Sequence, residues 1–343
     1  MNQEGGDVPP SSLSSFTGCV RRARGIVPPT FPMERAMPLD PQMKAYVDMM
    51  AHVRAVPMET LTPQEARNMV QAAPRPPAPE PAKVEDRTIK GPHGPIPIRI
   101  TWPKGKGPFP AFVWFHGGGW VIGSIELTDH LVRHFVHNAG CVGVSVDYRL
   151  APENKFPKAV NDCYAATKWV YDNAKALNVN PKKLAVGGDS AGGNLSACVA
   201  VMARDKGGPK LSHQACIYPV IDRDFTRKSY VENAAGPVLT RGMMEWFWKL
   251  YMRTDKDAKD PYVAPLYAKS LKRLAPATVI TAEFDPLRDE GDAYAKKLKK
   301  DGVPVDYKCY AGVTHGFVSM WPYVDIGKKG VEHVSKNLKK AFK

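Results

Sequence analysis

The stretch Leu184-Ala185-Val186-Gly187-Gly188-Asp189-Ser190-Ala191-Gly192 decides how this chain is read. An apolar run of strand type ends in a G-x-S-x-G pentapeptide, Gly188 to Gly192, and a helical stretch follows. A turn this tight tolerates only small residues beside the serine. It thrusts Ser190 off the strand end, where its hydroxyl can reach a substrate. The helix that starts there aims unpaired backbone N–H groups at a developing negative charge. The pentapeptide alone arises by chance, but the order strand, turn, helix makes Ser190 a candidate nucleophile and the Ala191 amide a candidate oxyanion donor.

A serine hydroxyl is a poor nucleophile without a base. His315 lies in Gly312-Val313-Thr314-His315-Gly316-Phe317, a loop just beyond the last strand candidate. An isolated histidine is more often structural; this position, downstream of serine and acid candidates, favours the base. An acid is then needed to orient the imidazole. Asp285 directly follows the strand candidate at 278–282 and is favoured. Glu283 and Asp289 compete: Glu283 is nearer the strand, and Asp289 falls in the first turn of the next helix, where a dipole role suffices. The resulting chain order is serine, acid, histidine. Upstream, His116-Gly117-Gly118-Gly119-Trp120 follows the strand candidate at 111–115. Three consecutive glycines let backbone approach a ligand without Cβ obstruction, though a plain glycine turn would look the same. His130 and His134 share a helix face, but the H-E-x-x-H pattern is absent, so no metal is expected. No dinucleotide fingerprint or Walker loop occurs, and no cofactor is expected.

Around these motifs, short apolar runs at 111–115, 141–146, 183–187, 215–219, 278–282 and 305–310 alternate with helical stretches. Several are apolar without alternation, as when both faces of a sheet are covered. The expected fold class is α/β with a mostly parallel sheet. An antiparallel pair is expected about the turn Gly91-Pro92-His93-Gly94. Residues 1–36, rich in Ser, Pro, Gly and Arg, read as a disordered extension. Residues 37–82 read as two short helices and a proline-rich linker at 73–82. Asp40-Pro41 starts the first helix, and Thr62-Pro63-Gln64-Glu65 is a capping box for the second. The catalytic domain spans 83–343. It is interrupted between about 223 and 272 by a helix capped at Thr240 and carrying Met243, Met244, Trp246, Phe247, Trp248, Leu250 and Tyr251. A helix so apolar round its girth is either a lid over the site or plain core.

The chain has 343 residues, 43% of them hydrophobic and 24% charged, which is ample for one large domain. The net charge of +14 reads as a lysine-rich solvated surface, because no basic run interleaves with aromatics as nucleic-acid binding requires. The amphipathic last helix, from about 326 to 343, has one wet lysine face and one apolar face. None of the six cysteines forms a C-x-x-C pair. Cys141, Cys198 and Cys216 lie in apolar runs and read as buried thiols, which fits a reducing, cytoplasmic setting. No stretch is long enough for a membrane span, and the N-terminus lacks a secretory h-region.

The chain resembles the hormone-sensitive lipase family of α/β-hydrolases, the bacterial family IV carboxylesterases. The resemblance rests on His116–Trp120, on Asp147-Tyr148-Arg149-Leu150-Ala151-Pro152-Glu153, on Gly188–Gly193, on Asp285-Pro286-Leu287-Arg288-Asp289-Glu290-Gly291 and on His315-Gly316-Phe317. It implies an α/β-hydrolase fold with a helical cap built from residues near 40–72 and 223–255. It implies a triad of Ser190, Asp285 and His315, with Gly118, Gly119 and Ala191 as oxyanion donors. Tyr148 to Glu153 would support the site. Trp120, Trp246, Phe247 and Trp248 are candidates to line the substrate pocket. The implied activity is hydrolysis of short to medium acyl esters by a monomer or homodimer, without cofactor. An amidase or deacetylase on small amides would use the same triad. A non-catalytic receptor is disfavoured by the presence of His315, and a prolyl peptidase by the lack of propeller repeats.

Overall fold

The computed structural model describes residues 38–53, 56–73 and 75–343. The expectation of a disordered 1–36 lies outside these. Eight strands form one sheet in the order β1-β2-β4-β3-β5-β6-β7-β8. They are β1 (Lys83–Gly91), β2 (Gly94–Trp102), β3 (Phe109–Phe115), β4 (Val142–Val146), β5 (Val179–Asp189), β6 (His213–Ile217), β7 (Ala277–Phe284) and β8 (Val305–Thr314). β1 and β2 form the expected antiparallel pair, β2 lies antiparallel to β4, and β4 through β8 run parallel.

The continuous apolar runs have the cause expected. Val113, Phe115, Val144, Leu184 and Val186 belong to one core, and Phe112, Trp114, Ala185, Ala215 and Ile217 to another. Alternate residues of one strand thus feed opposite faces, and both faces are covered. Helices α3 (Ile125–Ala139) and α9 (Asp325–Ala341) cover one face through Leu131, Phe135, Val334 and Leu338. On the other, α4 (Lys158–Asp172) and α5 (Ala191–Asp205) supply Ala159, Cys163, Leu195 and Cys198. Cys141, Cys198 and Cys216 are buried free thiols. His130 and His134 pack on Trp321, their ring centroids 6.5 and 4.3 Å from its own. No helix among the described residues is long and apolar enough to cross a membrane.

Several strand boundaries differ from the sequence reading, and two of the differences have a clear cause. β5 begins at Val179, before the expected 183, because Val179 pairs with Phe109 across an irregularity in register; Asn180-Pro181-Lys182 carry no apolar signal. β6 stops at Ile217 because Tyr218 turns into positive φ (34°).

The chain runs from β3 outward to β4 on one side, then returns to β5 on the other. Loops leaving the carboxyl ends of β3 and β5 therefore diverge, and a crevice opens between them. Phe115 and Gly188 pair across this point, which sets the glycine loop beside Ser190.

Candidate active site

Ser190 is held where few side chains go. Its φ is 56° and ψ is −119°, and it caps α5. Its N–H donates to Ile217 O (2.9 Å), fixing the turn to β6, and its carbonyl accepts from Asn194 N at 3.0 Å. Tight packing explains the flanking glycine at 192: a Cβ there would overlap Phe115 O.

β7 ends at Phe284 and β8 at Thr314, and these two residues pair beyond a shift in register that follows Ala282. Asp285 and His315 thus leave neighbouring parallel strands side by side. His315 Nδ1 lies 2.7 Å from Asp285 Oδ2, and His315 Nε2 lies 3.0 Å from Ser190 Oγ. Asp285 has no accessible surface, and its Oδ1 accepts the Leu287 N–H at 2.9 Å. Ser190 and His315 are each 8% exposed. The two competing carboxylates are occupied elsewhere. Glu283 accepts the Gly312 N–H at 2.8 Å. Asp289, on α8 (Arg288–Lys300), accepts the Ser229 N–H at 2.8 Å and pairs with Arg288.

The glycine loop is bound to the elbow through Asp189, whose Oδ1 accepts the Gly117 N–H at 2.8 Å. Burial pushes the Asp189 carboxyl up to about 6, against the opposing pull of that hydrogen bond. Gly118 O accepts from Val121 N and Ile122 N, closing a turn. Gly119 has φ 57°, and a Cβ there would collide with the Phe247 ring. The amides of Gly118, Gly119 and Ala191 donate to no protein group among the described residues. Tyr148 stacks on His116 with centroids 4.3 Å apart, and its hydroxyl donates to His116 O at 2.7 Å. Burial pulls the His116 imidazole down to about 4, so it stays neutral near pH 7.

The four aromatic candidates separate. Trp120 and Trp248, both candidates for the pocket lining, have no accessible surface. Trp120 stacks on Tyr251 (4.3 Å) and leans on Trp248 (4.8 Å), so this group backs the glycine loop from the core. Phe247 is buried against Gly119, and Trp246 is half-buried with its ring 5.1 Å from Phe247. All but Trp120 lie on α7 (Arg241–Tyr251), whose cap Thr240 accepts from Met243 N. The sequence reading gave no role to Asp189, although it sits inside the decisive motif. It also missed Tyr218, whose ring lies 4.7 Å from His315, and Arg67, for which no local pattern exists.

Residues 112–319 match a family described by the alpha/beta hydrolase fold. The carboxylic ester hydrolase LipN of Mycobacterium tuberculosis is 44% identical over 244 residues, 69% of this chain and 65% of that protein. An arylesterase of Saccharolobus solfataricus is 38% identical over 288 residues, covering 82% of this chain and 93% of that one. Among solved structures, an esterase from the archaeon Pyrobaculum calidifontis superposes with a TM-score of 0.83 at 41% identity, covering 89% of this chain and 99% of that one. A thermostable esterase from Pseudomonas putida gives a TM-score of 0.86 at 38% identity, covering 90% and 99%. With its parallel sheet, its elbow and these matches, the chain belongs to the α/β-hydrolase fold family, in its hormone-sensitive-lipase-like branch.

Proposed function

We propose that this chain hydrolyses carboxylic esters with short to medium acyl groups through an acyl-serine intermediate. The observation that carries the reading is His315 bridging Asp285 at 2.7 Å and Ser190 at 3.0 Å, with the serine at the tip of a positive-φ elbow. As Ser190 Oγ bonds to the ester carbonyl carbon, its proton passes to His315 Nε2. The carbonyl π pair moves onto oxygen, and the amides of Gly118, Gly119 and Ala191 receive that charge. Asp285 holds Nδ1–H and stabilises the imidazolium. Collapse breaks the bond to the alcohol oxygen, which takes the proton from Nε2. Water then gives a proton to His315 and attacks the acyl carbon, releasing the acid and restoring Ser190. No step calls for a cofactor. The segments 37–82 and 223–255 serve as a cap, and the enzyme acts in the cytoplasm as a monomer or homodimer. The relatives compared above are named as ester hydrolases, which favours the ester over the amide alternative.

An organophosphate such as diethyl p-nitrophenyl phosphate should modify Ser190 alone, located by peptide mass mapping. Ser190→Ala should lose several orders of magnitude in turnover of p-nitrophenyl esters while keeping its fold. Labelling of a different serine would overturn the assignment.

A further inference from the structure

Arg67 lies on α2 (Pro63–Gln71), a helix held by the Thr62–Glu65 capping box and far in sequence from every catalytic motif. Its guanidinium nonetheless reaches the loops behind the glycine turn. Nε donates to Val121 O at 2.9 Å, and Nη2 donates to Ala151 O at 2.8 Å. Nη1 and Nη2 also grip the Glu153 carboxylate at 2.9 and 2.7 Å. The arginine side chain is only 19% exposed, while that of Glu153 is 56% exposed. Both carbonyls belong to residues tied into the turn itself. Val121 N returns to Gly118 O at 3.0 Å, and Ala151 N donates to Trp120 O at 2.8 Å. One planar fork from outside the sheet therefore fastens the segment that carries the Gly118 and Gly119 amides at Val121, and fastens at Ala151 the neighbouring loop that is bonded to Trp120. A second bond between the same elements runs from Gln71 Nε2 to Ser124 Oγ at 3.0 Å.

We infer that Arg67 is a positioning residue for ester hydrolysis: it holds the turn from Gly118 to Ile122 so that its two amides converge on the oxyanion, and so couples the seating of α2 to turnover. The inference rests on the reading that those amides hold the oxyanion. Arg67 touches no reacting atom. Its effect runs through backbone placement, where an error of about 1 Å can cost roughly 100-fold in rate. Lysine keeps the charge but offers no rigid fork that can serve two carbonyls and a carboxylate together.

The test compares full-length wild type, Arg67→Lys, Arg67→Met, Glu153→Gln and Ser190→Ala. The readouts are kcat and KM on p-nitrophenyl butyrate, the inhibition constant of a trifluoromethyl ketone that forms a tetrahedral adduct, and melting temperature. Arg67→Lys should lose about 10- to 100-fold in kcat, with affinity for the ketone falling in proportion and KM nearly unchanged. Glu153→Gln keeps both carbonyl bonds and should stay within about fivefold of wild type, since an exposed pair is worth little. A normal kcat in Arg67→Lys, or a lower melting temperature with kcat intact, overturns the inference. So does a Glu153→Gln loss as large as that of Arg67→Lys, which would locate the effect in the ion pair. If Arg67→Met does not fold, Arg67→Lys and Glu153→Gln still decide the matter. Full turnover by Ser190→Ala would instead sink the reading of Ser190 as nucleophile and of the adjoining amides as oxyanion donors; an inactive Ser190→Ala beside a normal Arg67→Lys would sink only the clamp.

Discussion

The three candidate acids stand within a few residues of one another, Glu283 near the end of β7 and Asp285 and Asp289 just beyond it, and their hydrogen-bond partners tell them apart. Asp285 reaches His315, Glu283 is tied to Gly312, and Asp289 to Ser229. Asp285→Asn should therefore lower kcat by about 10⁴ by favouring the wrong imidazole tautomer. Asp289→Asn should leave kcat near wild type; the reverse ranking on a p-nitrophenyl ester would mean the wrong acid was chosen. Asp189 supports a different prediction. Its carboxyl titrates at about 6 in the folded protein against an ordinary 3.8, with burial the main cause. A raised folded value means that the folded state favours the neutral form. That contribution is complete below about 3.8 and is lost as pH rises through about 6. Asp189→Asn removes the titration and can still accept the Gly117 N–H. Its melting temperature relative to wild type should thus be more favourable at pH 8 than at pH 4; a constant difference would show that the carboxyl ionises normally. Ser190 and His315 were legible in the sequence because each lies in a short local motif. The role of Asp189 was not, because it depends on the pairing of Phe115 with Gly188 across the sheet.

At the scale of elements, capping was the most legible feature. Thr62 with Glu65, and Thr240 with Met243, are local patterns and need no knowledge of the fold. The orientation of α7 was not legible, since a helix apolar on most sides offers no stripe to aim. The structure buries Met244, Phe247, Trp248 and Tyr251 and leaves Trp246 half-covered. The neighbouring aromatics should accordingly behave differently. Trp248→Ala should cost about 3–5 kcal/mol as a core deletion and leave the acyl-chain profile unchanged. Phe247→Ala opens space directly over Gly119 and should shift preference toward longer acyl chains. A panel of p-nitrophenyl esters from acetate to decanoate, with melting curves, separates the two. If Trp248→Ala alters the profile and Phe247→Ala does not, α7 faces the substrate by its other side.

Across the whole molecule, alternation of strands and helices was enough to foresee a mostly parallel sheet, but not the order of its strands. The reversal between β3 and β5 is a property of the assembled sheet that sets the glycine loop beside the serine, and the parallel run of β7 and β8 brings the acid and histidine to the same edge. Backbone strain gathers there too. Among the described residues, five non-glycine positions have positive φ; Trp120 (62°), Ser190 (56°) and Tyr218 (34°) border the site, while Asn178 (55°) and Arg273 (63°) lie elsewhere. Such positions cost about 1–3 kcal/mol each. This edge therefore carries strain that relaxed turns would not. Ser190→Gly should show this directly. Relief of strain at the elbow outweighs the roughly 0.5–1 kcal/mol of extra unfolded-chain freedom that glycine brings. The glycine variant should be inactive yet melt about a degree or two above Ser190→Ala. If it melts no higher, the elbow is relaxed, and the turn at Ser190 costs the protein nothing in thermal endurance.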